Sequence, residues 1–106
     1  MDLAARMCEA CGLPRTQAVR ALVPLLEGTL ANIRRVGVPA ALTGPISRGD
    51  APTLASHLRA LEPFPAWREL YARLGSYTVE VALAQGGITA RDAAAMKNLF
   101  AGGTKE

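Results

Sequence analysis

Glycine and proline punctuate this chain into five stretches of helical periodicity, and that spacing leaves few folds open. Gly12 to Pro14, Gly37, the run from Gly44 to Gly49, Pro63 to Pro65, and Gly86-Gly87 stand where the apolar periodicity stops. Glycine past a helix end and proline just inside the next are the expected signals of helix boundaries. Alanine and leucine dominate, while β-branched and aromatic residues are sparse, which favours helix over strand. The expectation is an all-α fold of about five helices, in a chain of 106 residues that forms a single domain with one modest core.

Taken in order, residues 2–11 read as a short helix carrying Leu3, Met7 and Ala10. From Pro14 to Val36 runs the longest periodic segment, with Val19, Leu22, Val23, Leu26, Leu30 and Ile33 as one apolar stripe. Pro24 removes one backbone bond there and predicts a kink near Arg20 and Ala21. The opposite face carries Pro24, Gly28 and Ala31, with Asn32 at its edge. Small residues in a row allow a close approach. Two readings stay open, an interface with another domain or subunit and a central helix buried inside this domain.

The segment Ala41-Leu42-Thr43-Gly44-Pro45-Ile46-Ser47-Arg48-Gly49-Asp50 is a turn-rich connection between helices, and such loops often carry function. Asp50 is a good N-cap for a helix running to about Leu61, with Leu54, Leu58 and Leu61 inward and His57 on the flank of that stripe. A second long helix is expected from Ala66 to Gln85, with Trp67, Leu70, Tyr71, Leu74, Thr78 and Val81 along one face. Trp67, Tyr71 and Tyr77 are expected in the core. Thr89-Ala90-Arg91-Asp92 has the form of a capping box for a last helix through Met96, Leu99 and Phe100, and residues 101–106 read as a frayed tail.

Several function classes are disfavoured. The net charge of +3 comes from scattered basic residues, with no run longer than Arg34-Arg35, so no nucleic-acid footprint is visible. No apolar stretch reaches the about 20 residues of a membrane span, and Asp2, Arg6 and Glu9 interrupt any signal-peptide pattern, so a cytoplasmic chain is expected. Cys8 and Cys11 lack the two further ligands of a zinc site, the single histidine being His57, and read as small, half-buried helix residues. No Ser-His-Asp or Cys-His set can be assembled, and no glycine-rich dinucleotide fingerprint follows a strand. What remains is Arg48 as an anion-binding group beside a helix start, Asp50 holding the loop to that start, and Asn32 and His57 as polar residues that could face a cleft.

Leu22-Val23-Pro24-Leu25-Leu26, Gly28-Thr29-Leu30-Ala31-Asn32, the run Ala41 to Asp50, Thr53 and His57-Leu58-Arg59-Ala60-Leu61 resemble one family closely. It is the C-terminal domain of the Rossmann-like proteins of domain-of-unknown-function family 2520. Tyr71, Leu74-Gly75 and Ala82-Leu83-Ala84 also suit it, and Thr43-Gly44-Pro45-Ile46 with Arg48-Gly49-Asp50 is the most specific part. The family looks like a relative of ketopantoate reductase, pyrroline-5-carboxylate reductase and 6-phosphogluconate dehydrogenase, whose helical C-terminal domain shapes a substrate cleft and often builds a dimer. The resemblance therefore implies a 6-phosphogluconate-dehydrogenase C-terminal-domain-like bundle, a homodimer, and NAD(P) held by an N-terminal Rossmann domain absent from this chain, which itself holds no cofactor and no metal. It also implies that Asn32, Thr43, Arg48, Asp50 and His57 face the cleft, and it gives weight to Pro24, Gly28 and Ala31 as interface residues. Catalytic residues do not carry over. A stand-alone helical interaction module, pairing with itself, is the alternative.

Overall fold

The computed structural model describes residues 1–102. Its elements are α1 (Asp2–Ala10), α2 (Arg15–Val36), a 3-10 turn (Ile46–Arg48), α3 (Ala51–Ala60), α4 (Pro65–Ala84) and α5 (Ala90–Phe100). The fold is all-α, with five helices and no strand among the described residues. The contacts gather in two compact units, one over Met1–Ala41 and a second beginning at Leu42, where the sequence reading takes the chain as one domain. Of the tail expected over 101–106, residues 103–106 lie outside the described residues.

In the first unit α1 packs on α2 through two fully buried alanines, Ala5 and Ala18. The corner between them is set locally. Gly12 takes φ +94°, and the Gly12 and Leu13 amides donate to the Glu9 and Cys8 carbonyls at 2.9 and 3.0 Å. That double bond satisfies the last carbonyls of α1, and the left-handed residue it needs is glycine. Arg15 then bridges back to Asp2 and Glu9 across the seam at 3.1 and 3.3 Å. Cys8 is half-buried as expected, but Cys11 is exposed.

From Val23 onward α2 departs from expectation. The helix runs unbroken from Arg15 to Val36 with Pro24 inside it, and Ala18 is its one buried residue. The expected core stripe is exposed at Val23, Leu26, Leu30 and Ile33, and so are Leu25 and Val36 on the other side. Within the first unit α2 is therefore not a buried central helix. The reason lies in its partner: α1 has nine residues against twenty-two, too short to cover the second half of α2.

In the second unit α3, α4 and α5 enclose Leu54, Leu58, Val79, Ala82, Ile88, Ala93, Met96 and Phe100. The two N-caps expected from sequence both form. Asp50 accepts the Thr53 amide at 3.2 Å, and Thr89 and Asp92 close a reciprocal capping box at 3.1 Å each. At the far end of α4 the Gly86 and Gly87 amides donate to the Leu83 and Ala82 carbonyls, turning the chain back so that α5 packs on α4.

The face of α4 that enters the core is not the expected one. Tyr71, Gly75, Val79 and Ala82 point inward, whereas Leu70 and Leu74 are exposed and Tyr77 is 70% exposed. Tyr71 is half-buried and packs against the core, whereas Trp67 is half-buried outside it, stacking on Phe64 at 4.6 Å. Gly75 explains the rotation. A Cβ there would lie 2.4 Å from Cζ of Phe100, so the Phe100 ring occupies the space a side chain would need. Only a face with glycine at its centre admits that ring.

Candidate functional site

The turn-rich loop forms as one closed piece on the second unit. Its amides at Arg48, Gly49 and Asp50 donate to Pro45, Ile46 and Pro45 at 3.1, 3.1 and 2.9 Å, and the Ser47 hydroxyl donates to the Gly44 carbonyl at 2.7 Å. Gly49 sits at φ +69° with its α-carbon turned toward Asp92, the capping residue of α5. Leu42, Ile46 and Ala51 pack against the core and anchor both ends. The loop is held by backbone bonds and glycine geometry, so its polar side chains are carried on a fixed frame.

On that frame Arg48 and Asp50 come together, their guanidinium and carboxylate 3.5 Å apart. The Thr53 hydroxyl at 2.7 Å and the Thr53 amide hold the Asp50 carboxyl below its ordinary pKa, with Arg48 adding to the effect. Asp50 is thus occupied as a helix cap. Arg48 is exposed, its side chain 61% accessible. Thr43 is exposed at the start of the loop.

His57 is exposed one turn before the end of α3, and its partner is Tyr71 of α4, with Nδ1 2.7 Å from the phenol oxygen. Among the described residues no hydrogen bond or ion pair joins it to Arg48 or Asp50. Nothing in sequence flagged Tyr71 as a polar partner, since a tyrosine at core spacing reads as packing. Asn32, in the first unit, donates to the Ala41 carbonyl at 3.3 Å and accepts from Arg35 at 2.7 Å. It fastens the chain after Gly37 back onto α2. Pro24, Gly28 and Ala31 are exposed, and a Cβ on Gly28 would meet nothing within 4 Å.

An open groove of about 810 Å³ lies elsewhere on the second unit, lined by Glu62, Arg68, Glu69, Arg73, Ser76 and Phe100 among others. Arg73 is engaged by Glu69 at 3.0 Å, and Arg68 donates to the Leu58 carbonyl at 3.3 Å. None of Asn32, Thr43, Arg48, Asp50 and His57 lines it.

Two helix N-termini are filled by their own capping side chains, Asp50 and Thr89, and among the described residues no glycine-rich turn joins a strand to a helix. Among the described residues no three His, Cys, Asp or Glu side chains gather as a metal site. Among the described residues no helix is long and apolar enough to cross a membrane.

The model for the domain of unknown function DUF2520 matches residues 1–78. The chain belongs to the DUF2520 family. The match takes in the first unit, the loop, α3 and most of α4, and so covers every residue proposed above as facing a cleft. No curated protein and no solved structure is similar enough to extend that comparison.

Proposed function

We propose that this DUF2520 chain is the substrate-cleft and dimerisation part of an NAD(P)-dependent oxidoreductase, inactive alone, with the dinucleotide bound by a separate domain. The observation that carries the reading is α2. Over Val23–Val36 it exposes Val23, Leu26, Leu30 and Ile33 along one stripe, with Leu25 and Val36 beside it, and Leu25 is 68% and Leu30 54% accessible. An apolar helix stripe of that extent is ordinarily covered by a partner surface. Six large apolar side chains left half in water represent roughly several kcal/mol of unused burial, at about 25 cal/mol per Å². Gly28 and Ala31 on the same stretch let an incoming backbone approach closely.

In this reading Asn32, Thr43, Arg48, Asp50 and His57 border the cleft, with Arg48 receiving an anionic group of the substrate and Asp50 holding the loop that presents it. The protein acts in the cytoplasm, as a homodimer, and binds neither nucleic acid nor membrane. The test is reassembly. A dinucleotide-binding domain from a longer DUF2520 protein is added, association is followed by light scattering, and NADPH oxidation is followed against a panel of oxo acids. Association with restored turnover is the expected result, and Gly28→Leu weakens it while leaving the thermal stability of the chain unchanged. A chain that self-associates and ignores the added domain would instead be a stand-alone homodimerisation module.

A further inference from the structure

His57 and Tyr71 stand 14 residues apart and meet across α3 and α4, with imidazole Nδ1 2.7 Å from the phenol oxygen and ring centroids 5.9 Å apart, edge to face. Tyr71 is itself seated edge-on against Phe100 of the core, centroids 6.0 Å apart, so the phenol is held from behind. A phenol is a far stronger acid than the N–H of a neutral imidazole, so between the neutral groups the O–H donates and Nδ1 accepts. Burial pushes the Tyr71 pKa up and keeps that proton on the phenol. An imidazole that accepts at Nδ1 carries its own proton at Nε2. His57 is exposed, and among the described residues no partner meets its outer edge.

We propose that His57 and Tyr71 form a ligand-binding pair, in which Tyr71 holds the imidazole so that Nε2–H is offered to an oxygen acceptor of the ligand, a carboxylate or carbonyl group. Tyr71 is the positioning residue and His57 the contact. The arrangement discriminates by chemistry. An ammonium group or a metal ion needs a bare nitrogen, and the bare nitrogen here is Nδ1, already covered by Tyr71. A carboxylate or carbonyl oxygen needs a donor, which is what the outer edge supplies. The ligand class rests on the reading of this domain as a substrate cleft, whereas the tautomer rests on the contact of the pair and the greater acidity of the phenol.

His57 is the one histidine of the chain, so its two ring nitrogens give a single pair of signals in a 15N spectrum. The parent chain is expected to show one Nε2–H tautomer, with the Nδ1 resonance displaced by the phenol hydrogen bond. Tyr71→Phe keeps the ring against Phe100 and removes only the hydroxyl, so Nδ1 returns to its free position and the tautomers mix. Acetate, added at constant ionic strength, shifts the Nε2 resonance of the parent and loses most of that effect in Tyr71→Phe, while methylammonium shifts neither. Identical Nδ1 resonances in parent and variant would overturn the pairing. Equal responses to acetate and methylammonium would overturn the ligand class. Neither signal depends on turnover, so failure of the reassembled oxidoreductase would be read separately.

Discussion

Gly75→Ala isolates the contact that rotates α4. The added Cβ would lie 2.4, 2.6 and 2.8 Å from three atoms of the Phe100 ring, where ordinary contact begins near 3.4 Å, so the ring must retreat by about 1 Å. Phe100 has little room to do so, since it is 7% exposed and Tyr71 stands edge-on to it. Overpacking of this kind costs about 1–3 kcal/mol, and three simultaneous clashes belong in the upper part of that range. Removing glycine from a helix interior returns about 1 kcal/mol of propensity. The net expectation is a loss of about 1–2 kcal/mol, or a Tm lower by roughly 5–15 °C for a domain of this size. Circular dichroism on heating and urea titration read it out. Phe100→Leu in the same background shortens the ring's reach, so the double variant is more stable than the two single losses predict, by about 1–2 kcal/mol. The reasoning is refuted if Gly75→Ala raises Tm, as helix propensity alone demands, and shows no coupling to Phe100→Leu.

The remaining predictions concern the loop, its cap and the exposed helix. Gly49→Ala places a Cβ at φ +69° and 3.1–3.3 Å from Asp92, and is expected to lose about 1–2 kcal/mol in urea titration. Asp50→Ala removes the α3 cap and lowers Tm by a few degrees at neutral pH. Because the folded pKa of Asp50 lies below its ordinary value of 3.8, the contribution is complete above that value and disappears as pH falls below it through the folded pKa. Parent and variant should therefore converge in Tm on acidification, and a difference that persists at low pH would contradict the assignment. Leu30→Lys, on the exposed part of α2, leaves unfolding of the chain within about 0.5 kcal/mol of the parent and shifts the light-scattering mass toward monomer.

Short-range chemistry made much of this molecule legible. Asp50 followed by Thr53, and Thr89 followed by Asp92, announce N-caps because a side-chain oxygen three residues from an orphan amide reaches it with no help from elsewhere. Gly12 and Gly86 announce helix ends because the left-handed turn is a property of single residues. What periodicity leaves open is which face of a helix turns inward. Leu74 and Gly75 are neighbours about 100° apart around α4, and the richer apolar stripe lost to the one that could accept a Phe100 ring.

The same limit applies to the candidate site. The loop from Gly44 to Asp50 was visible as turn chemistry, but its polar groups proved to be engaged first in holding the loop itself. The His57 contact with Tyr71 spans two helices, and no rule of sequence spacing relates position 57 to position 71. By itself, then, the sequence determined where the five helices begin and end and that the chain belongs to DUF2520, since caps, breakers and motifs act over a few residues. Tertiary structure alone decided that α4 buries its glycine face, that α1 leaves α2 uncovered beyond Val23, and that His57 pairs with a tyrosine. Those outcomes depend on which surfaces of distant segments fit together, and shape complementarity is not written in any one of them.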